Sequence, residues 1–139
     1  MENNAVIKIC TNQIISGEDE KIELETPGKF AIRNNKVYII YKESEMTGYE
    51  DTVTTIKISD GLVDVSRKGK YPSRMTYNLG ERTLCLVDTP YGQIGASVET
   101  KDIRFNFDEN GGNLSMNYIF DADNKNFINN EMEIKVKKQ

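Results

Sequence analysis

Apolar and polar residues alternate with a period of two along nearly the whole chain, and the i, i+3, i+4 spacing of an amphipathic helix is scarce. Residues 5–16 read as a first strand, with Ile7 and Ile9 on one face and Lys8 and Cys10 on the other. Residues 17–20 read as a turn. Ile22, Leu24, Phe30 and Ile32 then hold one phase across Pro27-Gly28; proline cannot donate to a ladder, so Pro27 predicts an edge, a bend or a bulge. Arg33-Asn34-Asn35-Lys36 predicts a tight hairpin, because asparagine tolerates positive φ. Residues 37–46 are rich in β-branched and aromatic side chains and end at Gly48.

Thr52, Thr54, Ile56 and Ile58 share one face of the next strand, and Ser59-Asp60-Gly61 is the strongest hairpin signal in the chain. Beyond it, Val63, Val65 and Arg67 share a face. Short strands at 75–79 and 84–87 follow, separated by Asn78-Leu79-Gly80-Glu81 and ended by a proline turn at Thr89-Pro90-Tyr91-Gly92. Ile94, Ala96, Val98 and Thr100 then occupy the even phase, while Ile103, Phe105 and Phe107 occupy the odd one. A flip of phase inside one strand needs an extra residue, which predicts a β-bulge or short break near Lys101-Asp102. A glycine-rich loop at 108–112 leads to a clean apolar face of Leu114, Met116, Tyr118 and Phe120. After a polar loop at 121–126, the last strand turns Met132, Ile134 and Val136 inward and Glu131, Glu133, Lys135 and Lys137 outward.

About ten strands at a spacing of roughly 12 residues, joined by short turns, predict an all-β fold. Such a ribbon closes into a barrel or splits into a sandwich, and short hairpin links favour a single antiparallel up-and-down barrel of about eight to ten strands. No linker or internal repeat divides the chain, so residues 1–139 are read as one domain.

Composition narrows the function. Lys plus Arg is 18 and Asp plus Glu is 22, a net charge of −4 with no basic run, which argues against nucleic acid. Neither a signal peptide nor an apolar run of about 20 residues is present, so no membrane partner is expected and the chain is read as cytoplasmic. Cys10 and Cys85 are far apart in sequence and in no metal or redox spacing, and both are expected to pack as small apolar residues, with a Cys10–Cys85 bridge the minority reading. The sequon Asn113-Leu114-Ser115 then carries no meaning. The chain has no histidine and no tryptophan. That absence removes Ser-His-Asp and Cys-His catalysis and histidine metal sites and leaves carboxylates, Lys, Tyr and Cys for any catalysis, so an enzyme ranks third behind two non-enzymatic readings, with no cofactor and no metal expected.

The sharpest candidate chemistry is Glu43 with Arg67. Alternation sets Glu43 on the face of Ile39 and Tyr41, and Arg67 on the face of Val63 and Val65. If those faces are the barrel interior, the two charges meet, since burying either alone is costly. Two readings stand side by side. Arg67 can present its guanidinium to a ligand carboxylate or phosphate with Glu43 orienting it, or the pair can be a structural device that fixes register. Tyr41, Tyr118, Thr54 and Thr100 would line the same lumen as ligand-facing hydroxyls, or as core residues tied to the backbone. Glu43 and Glu45 also share a face, but at about 7 Å along a strand they fit a chain end better than a glycosidase pair. Asp121, Asp123 and Asn124 lack the rest of a calcium loop and read as a solvated turn.

The order Tyr41-Lys42-Glu43, Thr47-Gly48, the threonine-rich 52–55, Arg67-Lys68-Gly69, Met75 and Tyr77, Thr89-Pro90-Tyr91-Gly92, Thr100, and Gly112 to Leu114 leading to Tyr118 resembles the YwiB-like family of bacterial domain-of-unknown-function proteins. The resemblance runs from about residue 30 to 137 and departs in a longer link from Gly69 to Met75 and in Leu86-Val87, where an aromatic residue often precedes the turn. It implies a lipocalin-like, or calycin-like, β-barrel with no established activity. The expected function is a barrel that binds a small molecule in its interior or at its mouth. The alternative is a structural or protein-interaction module whose barrel is filled by its own side chains (Phe30, Phe105, Phe107, Met116, Tyr118 and Phe120), with a homodimer through a barrel edge or rim as the candidate assembly.

Overall fold

Backbone pairing follows chain order without a crossover. In the computed structural model, which describes residues 3–15, 17–43, 51–70, 72–89, 92–121 and 127–139, ten antiparallel strands form one closed barrel. They are β1 (Ala5–Ile15), β2 (Glu18–Arg33), β3 (Lys36–Lys42), β4 (Thr52–Ser59), β5 (Leu62–Gly69), β6 (Ser73–Asn78), β7 (Arg82–Thr89), β8 (Gly92–Asp108), β9 (Gly111–Asp121) and β10 (Phe127–Lys138). Each strand pairs with its neighbours in sequence, and β1 pairs with β10 from Ala5–Lys138 to Ile14–Asn129, which closes the ribbon. The up-and-down barrel read from the alternation is the observed fold. The expected turn at Pro90-Tyr91, the strand end near Gly48, Glu45, and Asp123-Asn124 lie outside the described residues.

Local chemistry sets the hairpins at one end. Asn34 and Asn35 take φ of 53° and 63°, and Asp60 and Gly61 take 51° and 77°. Two successive positive φ values make the two-residue turn whose twist suits paired strands. The phase flip in β8 is a register shift between Thr100 and Asp102, so that Thr100 faces Tyr118 while Ile103 faces Met116. This is the bulge that the phases of Val98 and Phe107 required.

Pro27 lies on an edge, as expected: it pairs with Val6 of β1, while pairing of β2 with β3 begins only at Gly28–Tyr41. Two expectations are corrected. The first turn is shorter than 17–20, because β2 starts at Glu18. Ile22, Ile32, Ile94 and Phe105 keep the predicted phase yet are exposed, since they lie where strands run past the packed centre of the barrel.

Two features were not legible in the sequence. Asn4 extends the sheet with its side chain: Nδ2 donates to the Phe30 carbonyl at 3.0 Å and Oδ1 accepts from the Phe30 amide at 2.8 Å. The side chain thus supplies a ladder step beyond Ala5–Gly28, where β2 passes from β1 to β3. The second feature is a weak seam. Among the described residues β6 and β7 share ladder pairing only at Ser73–Val87, and the Thr83 hydroxyl donates to the Thr76 carbonyl at 2.6 Å.

The core fills the hairpin half of the barrel with Ile7, Ile39, Ile56, Ile58, Val63, Leu114, Met116 and Ile134. Phe30 and Phe107 stack across it with centroids 5.9 Å apart. Gly112 makes room for this. It lies opposite Phe107 at φ 153°, and a β-carbon there would press on the Asn106 carbonyl and come within 2.7 Å of Phe107 Cα. Gly112→Ala is therefore expected to cost about 1–3 kcal/mol of stability. Gly95→Ala, where a β-carbon would meet only Leu86 Cδ2 at 4.0 Å, should stay within about 0.5 kcal/mol. Urea unfolding of the two variants checks the contrast.

Candidate functional site

Side chains that pair across neighbouring strands form one row around the inside of a barrel, a level inclined to its axis by the tilt of the strands. One such level crosses β2 to β6 as Phe30, Ile39, Ile56, Val65 and Met75, all apolar. Two residues higher, the same strands contribute Gly28, Tyr41, Thr54, Arg67 and Ser73. The opposite wall repeats the change, from Ile9, Ile134 and Leu114 to Gln13, Asn130, Tyr118 and Thr100. The interior is thus aliphatic towards the hairpin end and becomes hydroxyl-bearing and charged towards the other.

Glu43 stands just beyond β3 and is held there by its amide, which donates to the Thr52 carbonyl at 2.8 Å. Its side chain is 2% exposed and that of Arg67 is 20% exposed. Arg67 Nε lies 3.7 Å from Glu43 Oε1, too far for a hydrogen bond, so that contact is coulombic. The Thr54 hydroxyl supplies a short bond to the same oxygen, 2.6 Å. Burial first, and then the Glu43 charge, push the Tyr41 hydroxyl far above its ordinary pKa.

Tyr77 and Tyr118 meet edge to face across the lumen with centroids 4.8 Å apart. Burial raises both hydroxyls, and the neighbouring Tyr118 raises Tyr77 further; the Tyr77 hydroxyl donates to Met75 Sδ at 3.8 Å. The positive charge of Arg67 reaches all three tyrosines and opposes the rise. The hydroxyls of Ser73 and Thr100 are buried and have no hydrogen-bond partner among the described residues. Ser73 sits directly across the strand pair from Arg67.

The six residues singled out from the sequence therefore fall into two groups. Tyr41, Glu43, Thr54 and Arg67 are contiguous on one wall, while Tyr118 and Thr100 pair on the other. Tyr77 completes the arrangement by touching Tyr118, and Ser73 extends the first group. Sequence reasoning missed both as site residues, although the alternation of β6, with Ser73, Met75 and Tyr77 in one phase, carried the signal. Asp121, expected in a solvated turn, instead ends β9 and is buried, with Arg82 Nη2 at 3.6 Å and Arg82 Nε donating to Ser97 at 3.1 Å. Cys85 packs against the core as expected, but Cys10 faces outward with Sγ 3.8 Å from Glu23; neither is bridged. Two open clefts, of about 410 and 550 Å³, border β7–β9 and the outer face of β1, β2, β9 and β10. None of the six residues lines either.

A family model described as "Domain of unknown function (DUF1934)" matches residues 7–134. The chain is 31% identical over 120 residues to the uncharacterized beta-barrel protein YwiB of Bacillus subtilis (strain 168), covering 85% of this chain and 83% of that protein. It superposes on the crystal structure of the Bacillus subtilis ywiB protein with a TM-score of 0.84 at 25% identity, covering 99% of this chain and 92% of that one.

The tyrosines generate a prediction about alkali. Their folded pKa values are raised, so the folded state holds protons that the unfolded state releases above the ordinary tyrosine value of 10.0. The tyrosine contribution to stability is complete below that pH and is lost as pH rises past it. Urea midpoints should therefore fall above about pH 10, and the phenolate absorbance of Tyr41, Tyr77 and Tyr118 should appear only with unfolding. Replacing all three with Phe should flatten that alkaline limb.

Proposed function

The chain belongs to the DUF1934 family of β-barrel proteins, and from that premise we propose that it is a cytoplasmic binding protein that receives a small anionic molecule at the polar end of its barrel. The observation that carries this reading is the unequal exposure of the ion pair. Glu43 is enclosed and hydrogen-bonded by Thr54, while Arg67 keeps a fifth of its side chain accessible. A carboxylate set behind a guanidinium orients its planar fork, and a fork aimed at a mouth suits a ligand carboxylate or phosphate. Ser73, buried beside Arg67 with a hydroxyl that lacks a partner among the described residues, supports the same reading, because such groups call for water or a ligand. Two unbridged cysteines accord with a reducing compartment. No helix is long and apolar enough to cross a membrane among the described residues.

A second reading, a structural or interaction module with a filled barrel, draws on one observation. The clefts of about 410 and 550 Å³ open at strand faces away from the six candidate residues, and the apolar level beneath Arg67 is occupied by Phe30, Ile39 and Met75.

Native mass spectrometry of protein purified from its own host, with titration of inorganic phosphate, acetate and benzoate, separates the two. On the binding reading a small mass is retained or an anion binds, and Arg67→Met weakens it by about 10-fold or more. Arg67→Met alone should cost about 1–3 kcal/mol of stability, less than for a fully enclosed pair because Arg67 is partly in water. Glu43→Gln with Arg67→Met should recover most of that loss while leaving the anion unbound. A bare mass, with no anion bound and the same stability pattern, would establish the filled module instead.

A further inference from the structure

Charge at the polar end of the barrel is closely balanced. Among the described residues whose phase faces inward there, Arg67 carries the one positive charge, and Glu43 stands 3.7 Å from it. The other charges on that phase are negative: Glu18 and Glu20, opposite Ile15 and Gln13 on the exposed tip of β2. Uncharged donors surround the pair. Ser73 lies opposite Arg67 and Thr100 opposite Tyr118, and both hydroxyls are buried without a hydrogen-bond partner among the described residues. Apolar surface adjoins them. The row that carries Arg67 and Ser73 passes through the Val87 position to Ile94, which is 42% exposed. On the far wall, Ile128 and Phe120 pair one step above Asn130 and Tyr118, and both are half-buried.

We infer that the ligand of this end is a monocarboxylate with a compact apolar body, and that the enclosed Glu43 excludes phosphorylated molecules. The inference rests on the anion-binding reading above and narrows it to one chemical class. A guanidinium already balanced by one carboxylate can accommodate one further negative charge, and its planar fork matches the two oxygens of a carboxylate. A phosphate monoester brings nearly two charges at neutral pH. The second charge would stand beside Glu43 with no cation to offset it, where water is largely excluded and unpaired charge is costly. The Ser73 hydroxyl is placed to donate to the bound carboxylate. The body then follows the row towards Ile94 and takes apolar surface out of water. Glu43 thus acts as a filter on ligand charge as well as a brace for Arg67.

Calorimetric titration of the whole chain with benzoate, acetate and phenyl phosphate tests this, at about pH 7.5 where the phosphate ester is mostly a dianion. Benzoate and phenyl phosphate share a body and differ in the head. Benzoate and acetate share a head and differ in the body. Benzoate should bind at least about tenfold more tightly than phenyl phosphate, and about threefold or more tighter than acetate. Ile94→Ser, at an exposed position, should narrow the gap between benzoate and acetate while leaving acetate unchanged. Glu43→Gln should shift the preference towards phenyl phosphate by about tenfold; should that variant not fold, the order of the three ligands on the parent chain decides alone. Phenyl phosphate binding as tightly as benzoate, or a preference that Glu43→Gln leaves unmoved, overturns this inference while the anion site itself stands. Binding of none of the three overturns both.

Discussion

A ribbon of antiparallel strands laid in chain order has two unpaired edges, and the pairing of β1 with β10 removes both. Most of the remaining structure depends on that closure. It converts a period-two alternation into an inside and an outside, and it turns each set of cross-strand neighbours into a level of a packed column. Asn4 serves both neighbours of β1: its carbonyl accepts from the Gln139 amide at 2.8 Å just beyond β10, and its side chain continues the pairing with β2 at Phe30. Without closure, the apolar residues of ten strands would face water on a sheet too long to stay open.

The column is graded along its axis. Its lower levels are branched aliphatics and stacked rings, which need only volume. Its upper levels hold Glu43, Arg67, three tyrosines and several hydroxyls, which need partners as well as space. The Thr54 hydroxyl hydrogen-bonds the enclosed carboxylate, so the guanidinium need not bind it closely. The 3.7 Å separation keeps the attraction between the charges, while a fifth of the Arg67 side chain stays accessible. This grading makes one end of the molecule the place where solutes can interact with polar groups.

Much of this was legible before any coordinates. Asp60-Gly61 and Asn34-Asn35 state their turns through backbone preference, and the phases of Val98 and Phe107 can coexist only across a bulge. Glu43 and Arg67 were marked by charge on otherwise apolar faces, which is costly unless paired. What escaped notice depended on distance along the axis or on side chains acting as backbone. Ile22, Ile32 and Phe105 obey the alternation but lie beyond the region where opposite walls meet, and periodicity does not encode that limit. Ser73 and Tyr77 look ordinary in sequence and become notable only through register with Arg67 and proximity to Tyr118. Asp121 looked like turn material because nothing local announces its contact with Arg82, 39 positions earlier in the chain.

The sparse join between β6 and β7 has a mechanical consequence. Among the described residues, eight of the nine joints between successive strands, and the closing one, carry runs of paired residues, whereas this one carries the Ser73–Val87 pair and the hydroxyl bond of Thr83. Under heat, tension or denaturant, a tube of this kind parts first along its least-stitched line, before any strand leaves its better-bonded neighbour. The wall would then unroll as one continuous sheet with β6 and β7 as its edges, still tethered by the 79–81 turn, and the earliest rupture would bare Met75 and Tyr77.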